Sequence, residues 1–183
     1  MATNILKLKS GRKIYYSTKE SIENKLISNK IKLSNLTDLE NKVYEGGLKI
    51  WECSLDLSYF IDSMSFEGFN VLELGCGAGL PSIVAALNGA SSLTLQDFVF
   101  DIILTSETIY NEENYLDLLE IMNKLLNNEG EIYLAAKNYY FGLSGSIPAF
   151  QSLIETQGIF NCQQVWKTTK SSIERKILKI KRI

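Results

Sequence analysis

Apolar and polar positions follow two different periods along this chain, and the changes of period mark its elements. Over the first 16 residues Ile5, Leu6 and Leu8, then Ile14, Tyr15 and Tyr16, flank Ser10-Gly11, which predicts a hairpin. A polar Lys/Asn/Ser-rich connector runs on to about residue 42. Ser54 is placed to cap a helix reaching about Met64, with Leu55, Tyr59 and Phe60 along one side. The run 70–74 reads as a strand, 81–88 as a helix closed by Gly89, and 91–96 as a further strand. Asp101-Ile102-Ile103-Leu104-Thr105 has the unbroken apolar core of a strand buried on both faces. From Glu112 to Asn127 a helical stripe joins Tyr115, Leu118, Leu119, Met122, Leu125 and Leu126, with Gly130 just beyond its end. Glu131 to Ala136 is a strand, 147–157 a helix, and 160–167 and 173–182 two strands joined by Thr168 to Ser172. Strands alternating with helices and ending in a hairpin predict the α/β class.

The segment after the 70–74 strand carries the most chemistry. Glu73-Leu74-Gly75-Cys76-Gly77-Ala78-Gly79 opens onto Leu80-Pro81-Ser82-Ile83-Val84. A strand, a glycine bend and a helix bring a nucleotide-like group against bare backbone, because glycine tolerates positive φ and close approach. The dinucleotide fingerprint needs Gly or Ala three residues after its second glycine, and Leu80 stands there, so pyrophosphate binding is disfavoured. Glu73 can instead take the ammonium of an amino-acid moiety, and Asp97 can accept two ribose hydroxyls, which is how S-adenosylmethionine is held. Asp97 would equally begin a turn, but its place at the C-terminal end of a strand favours the site. Cys76 reads as a small filler, not a reactive thiol.

Composition narrows the chemistry further. With 183 residues and 45% apolar content the chain can build a core. It holds no histidine, so imidazole bases and histidine-ligated metal sites are excluded, and proton handling falls to carboxylates, tyrosine or water. Cys53, Cys76 and Cys162 share no metal-type spacing and fit a reducing compartment. No secretory signal or bilayer-spanning run is visible, so a soluble intracellular protein is expected. Charge divides into three blocks. Residues 1–50 carry ten Lys/Arg against five acids, 51–166 two against fifteen, and 167–183 seven against one. An acidic middle would draw a cationic cofactor and a basic protein, although solvated faces would look the same.

Three strings become selective together: Val43-Tyr44-Glu45-Gly46-Gly47-Leu48-Lys49-Ile50-Trp51-Glu52-Cys53-Ser54, the glycine bend at 73–79, and Leu104-Thr105-Ser106-Glu107-Thr108-Ile109-Tyr110-Asn111. With Lys137-Asn138-Tyr139-Tyr140-Phe141-Gly142, the chain resembles the protein-histidine N-methyltransferases of the methyltransferase-like group, a family known for methylating a histidine of the third large-subunit ribosomal protein. The resemblance implies a doubly wound, Rossmann-like methyltransferase sheet with a C-terminal antiparallel hairpin, in a methyltransferase domain at 43–183 preceded by the hairpin and connector at 1–42. It implies that Ile50, Trp51, Glu52, Cys53 and Ser54 line the methionine end of S-adenosylmethionine, with Gly75 beneath it, and Glu73 and Gly77 complete the expected cofactor-binding set on this side. Gln96, Asp97 and Phe98 would meet the ribose and adenine, and Ser106 would lie at the tip of the next strand. It implies a basic ribosomal protein as partner, a monomer, no direct nucleic-acid or membrane motif, no metal, and residence in the cytoplasm or nucleus.

The acceptor chemistry follows from pKa. A substrate imidazole, at about 6.5, is largely neutral at pH 7, whereas lysine, at about 10.4, must first lose a proton. Glu107 and Tyr110 form the Glu-x-x-Tyr element of the wider group. Glu107 is expected to accept the ring N–H and take up developing charge, and Tyr110 to shape the pocket. Glu107 could instead cap the loop before the following helix. Protein-lysine methylation and a non-catalytic remnant remain the two alternative readings.

Only Phe98, Val99 and Phe100 separate Asp97 from Asp101. In the resembled family the strands at these two positions are parallel and flank the 70–74 strand. Three residues reach roughly 10 Å, while retracing a five-residue strand takes about 17 Å. A helix, a strand and a second helix, on the order of sixty residues by the resemblance, are therefore expected to be missing. Either the sequence is an incomplete gene reading or splice form, the favoured explanation, or residues 91–105 run as one long strand or rearrange. Weak activity of this chain alone is expected.

Overall fold

A computed structural model describes residues 3–17, 50–91, 100–169 and 172–183. The boundary expected at 42/43, the strand expected at 91–96, and Gln96, Asp97 and Phe98 lie outside them.

The expected N-terminal hairpin forms, with β1 (Thr3–Lys7) antiparallel to β2 (Lys13–Ser17) and Leu6 opposite Ile14. Helix α1 (Glu52–Ile61) begins two residues before the predicted cap. Trp51 occupies the cap position without capping the helix through its side chain, and Ser54 is buried inside the helix, where its carbonyl accepts from the Ser58 hydroxyl at 2.8 Å. The inward face is Cys53, Leu57 and Ile61, with Leu55, Tyr59 and Phe60 half-buried at its margins. Strand β3 (Val71–Leu74) leads through the glycine bend into α2 (Leu80–Leu87), then β4 (Phe100–Ser106).

The helix expected over 112–127 is shorter. Asn111 caps a single 3-10 turn at Glu112–Asn114 by accepting from the Glu113 N–H, and α3 (Tyr115–Leu125) follows. Leu126 is already extended and starts β5 (Leu126–Lys137), five residues earlier than predicted. Gly130 therefore ends no helix. A Cβ there would lie 2.8 Å from Leu126 and 3.0 Å from the Asp101 carbonyl, so close strand packing demands glycine. Helix α4 (Ile147–Gln157), capped by Ser146, and β6 (Phe160–Lys167) match the expected spans, and β7 (Arg175–Arg182) begins two residues late.

The main sheet has the order β3-β4-β5-β7-β6, with β3, β4 and β5 parallel and β7 and β6 antiparallel. Val71 pairs with Ile102 and Leu74 with Thr105. Among the described residues β3 has no strand on its outer side, so the strand expected to be central stands at the end of the sheet. Residues 75–99, including α2, are long enough for this parallel connection. Ser91 lies outside any strand, and residues 92–99 lie outside the described residues.

Alternation along the inner strands buries both faces. Ile103, Ile132, Leu134, Ala136, Leu178 and Ile180 face the core under α3 and α4. Ile102, Leu104, Tyr133, Ala135 and Ile177 face the core under α1, α2 and the hairpin. Asp62 ties that hairpin down: its carboxylate accepts from the Ser10 N–H and hydroxyl, both at 2.8 Å, and from Arg12 at 3.0 Å. Helices on both faces of a largely parallel sheet leave the C-terminal strand ends open for ligands.

Candidate functional site

The glycine bend is exposed and built from left-handed backbone, with φ of 67°, 49° and 66° at Gly75, Gly77 and Gly79. Only glycine takes three such conformations at low cost. Gly75 is also sterically confined, since a Cβ would meet Thr108 Cγ2 at 2.8 Å. Cys76 is exposed in this bend, so it fills no space in the core.

Glu73 projects from β3 beside the bend. Its Oε2 accepts from the Ser82 N–H at 2.9 Å and the Ser82 hydroxyl at 2.5 Å. One oxygen thus serves a free donor in the first turn of α2, whose cap residue Gly79 has no side chain to do so. The other, Oε1, is buried with no hydrogen-bond partner. Burial pushes the Glu73 carboxyl up, against the lowering effect of the Ser82 bonds. A cationic donor group in the bend would satisfy the orphan oxygen and relieve that penalty. The described residues therefore fit the amino-acid end of the expected cofactor, and the ribose and adenine positions lie outside them.

At the tip of β4, Ser106 is buried and Glu107 adopts φ of 59°, the left-handed region that costs a non-glycine residue energy. The strain delivers a carboxylate to an enclosed place. Glu107 is 7% exposed, and the Cys53 thiol and the Tyr140 hydroxyl are the donors beside its carboxylate. Lys137, the last residue of β5, brings its Nζ to 3.6 Å from Glu107 Oε1 and 3.9 Å from Glu52 Oε2. At an effective dielectric of about 20 the closer pair attracts by about 4 kcal/mol before the desolvation of either ion is subtracted.

Trp51, Cys53 and Tyr140 complete the surround. The Lys137 ammonium stands 4.7 Å over the Trp51 ring and 5.7 Å over that of Tyr140, within cation–π range. Burial first, and then the Glu107 charge, push the Cys53 thiol and the Tyr140 hydroxyl up, so both stay protonated at neutral pH. Ile50 is half-buried against the α1 core, Glu52 is exposed, and Ser54 is buried in α1. Tyr110 packs against the other core, and its carbonyl accepts from the Gly145 N–H at 3.0 Å.

Trp51, Glu52, Cys53 and Glu107 thus come together from two distant segments, and Glu73 and Gly75 adjoin them through Thr108 and the parallel strand ends. Sequence reasoning assigned no role to Lys137, Tyr140 or Thr108. One signal was available: Lys137 is one of two basic residues between 51 and 166 and ends an apolar strand run, an unusual place for an unpaired ammonium. Among the described residues no helix is long and apolar enough to cross a membrane.

The lysine methyltransferase family profile matches residues 92–142. A histidine protein methyltransferase 1 homolog from Dictyostelium discoideum is 36% identical over 166 residues, covering 68% of this chain and 53% of the relative. The homolog from Rattus norvegicus is 32% identical over 196 residues, covering 69% and 54%. The chain spans about half the length of these curated relatives, and both alignments run over more positions than the part of this chain they use. Among solved structures, magnesium protoporphyrin IX methyltransferase from Synechocystis PCC 6803 with bound SAH superposes with a TM-score of 0.54 at 13% identity, covering 89% of this chain and 95% of that one. The fold is that of the Rossmann-like methyltransferases.

Proposed function

We propose that this chain, similar over about two thirds of its length to histidine protein methyltransferase 1 homologues, transfers a methyl group from S-adenosylmethionine to a histidine ring nitrogen of a protein. The observation that carries the reading is Glu107: a strained, buried carboxylate at the C-terminal end of a strand beside a glycine bend.

In this reading Glu73 Oε1 and the backbone of Gly75, Gly77 and Gly79 hold the methionine end of the cofactor, with Trp51, Cys53 and Ser54 along its side. When bound, the cofactor supplies a methyl group already activated by its sulfonium. The protein aligns the acceptor, excludes water and handles one proton. Glu107 accepts the N–H of the neutral imidazole, which fixes the tautomer and turns the free lone pair toward the methyl group. Methyl transfer would break the methyl–sulfur bond and leave a neutral thioether, and the positive charge then carried by the ring would lie beside the Glu107 carboxylate, which would take the ring proton and release it to water. Tyr110, held by Gly145, bounds the acceptor side.

The substrate we propose is a basic ribosomal protein, met in the cytoplasm or nucleus. Two basic against fifteen acidic residues over 51–166 give a surface that attracts such a partner. Lysine methylation is the second reading, favoured by the description of the matching family profile. The deciding experiment incubates the protein with labelled S-adenosylmethionine and unmethylated ribosomal protein and hydrolyses the product. Label in methylhistidine supports the first reading, and label in methyllysine replaces it with the second. Absence of label, together with no calorimetric binding of the cofactor, makes the chain a non-catalytic remnant.

A further inference from the structure

Lys137 occupies a position with the chemistry of a ligand site. Its ammonium has two carboxylates, Glu107 at 3.6 Å and Glu52 at 3.9 Å, and two aromatic faces, Trp51 at 4.7 Å and Tyr140 at 5.7 Å. Carboxylates and aromatic rings around a cation are how proteins recognise alkylammonium groups. Here that enclosure is filled by the protein's own side chain, which is only 15% exposed.

Resting on the reading of Glu107 as the acceptor-side carboxylate, we infer that Lys137 determines acceptor specificity: a resident ammonium occupies the anionic and aromatic surfaces that a substrate lysine would need, so the site admits a neutral imidazole and rejects an alkylammonium side chain. Two features make this selective. A second ammonium would enter fully charged and face a like charge within a few ångströms. An imidazole brings no charge. At 3.6 Å the ion pair is longer than a charge-assisted hydrogen bond, at about 2.7–2.9 Å, so Lys137 pairs with Glu107 by charge without taking a hydrogen-bonding position from a ring N–H.

The test does not require methyl transfer. With Trp166 replaced by Phe, Trp51 is the sole tryptophan and reports on the enclosure. This parent and its Lys137→Met and Lys137→Arg variants are titrated with n-butylammonium and with 4-methylimidazole at pH 8. Lys137→Met is expected to bind n-butylammonium at least tenfold more tightly than the parent, with 4-methylimidazole changed less than threefold. Lys137→Arg, which restores the cation, is expected to behave as the parent. Lys137→Gln keeps a polar neighbour for both carboxylates and is read in the same way should Lys137→Met fail to fold. Equal n-butylammonium affinity in the parent and in the uncharged variant overturns the inference, as does a gain in Lys137→Arg. A second arm offers paired peptides that differ only in a His or Lys acceptor. Transfer by the parent to the lysine peptide overturns both the inference and the histidine reading. A parent that excludes n-butylammonium yet transfers no methyl group removes the functional reading alone.

Discussion

A methyl group on Gly75 would lie 2.8 Å from Thr108 Cγ2, because the bend after β3 and the loop after β4 meet at adjacent parallel strand ends. The expected cofactor side and the expected acceptor side are thus in van der Waals contact through one glycine. Gly75→Ala adds both this clash and a positive-φ penalty. It is expected to destabilise the fold by about 1–3 kcal/mol. S-adenosylmethionine affinity is expected to fall at least tenfold. Urea unfolding and isothermal titration calorimetry check the two effects.

Glu107→Gln keeps the shape of the side chain and removes its ability to take a proton and to balance charge. On the proposed mechanism kcat is expected to drop by about 10²–10⁴-fold. The cofactor contacts Glu73 and the glycine bend are untouched, so its affinity is expected to change less than threefold. Single-turnover transfer to a histidine peptide, beside a calorimetric titration, measures both. Full turnover by Glu107→Gln would remove the carboxylate from the mechanism.

Gly145 supports Tyr110 by close approach. A Cβ there would stand 2.1 Å from the Ile109 carbonyl oxygen and 2.4 Å from the Tyr110 carbonyl carbon, both parts of the rigid backbone. Gly145→Ala is expected to cost more than about 3 kcal/mol, the range of overpacking against atoms that have no room to move. Tyr115→Phe is milder. The Tyr115 hydroxyl accepts from the Ser146 N–H at 2.8 Å, and its loss leaves that buried donor unpaired, a cost of about 1–3 kcal/mol. Denaturant midpoints separate the two variants, and amide exchange at Ser146 should accelerate only where the hydroxyl is gone.

Acid is expected to loosen two places. Burial works to raise Glu131, but bonds from Lys179, Lys181 and Tyr133 outweigh it and hold the carboxyl at about 2. Burial likewise opposes the Ser10 and Arg12 bonds that keep Asp62 below its ordinary value. Each folded value lies below the unfolded one, so the stability they contribute is complete above about pH 5 and is lost as pH falls through about 4 toward 2. Glu131 is partly solvated, and after screening its share is about 1 kcal/mol. Urea midpoints measured from pH 6 to pH 2.5 should fall less steeply in Glu131→Gln. Asp62→Asn should release the N-terminal hairpin, seen as faster amide exchange at Leu6 and Ile14.

Element type was legible wherever one period dominated. The alternating hairpin, the doubly buried run at 101–105 and the helix at 147–157 match their expectations, because side-chain burial follows the backbone repeat directly. Boundaries failed where a residue had two readings. Ser54 is a good cap by type, yet burial in the α1 face outweighed its capping preference. Leu126 continues the helical stripe by spacing, yet pairing with Phe100 across the sheet drew it into β5. Gly130 suits a helix end, but its cause is contact with Leu126 and the Asp101 carbonyl.

The chain order alone determined the α/β class, the bare glycine bend and the acid beside it, since these depend on residues within one or two turns of each other. It also ruled out imidazole chemistry from the protein's own side chains, because a residue type that is absent has no substitute. Tertiary structure decided the rest. That β3 pairs directly with β4 and that Lys137 reaches Trp51 and Glu107 are consequences of sheet order, which brings residues about thirty or more positions apart within a few ångströms. Local periodicity carries no record of which strands become neighbours, so the charge balance around Glu107 became readable only after the sheet had closed the distance.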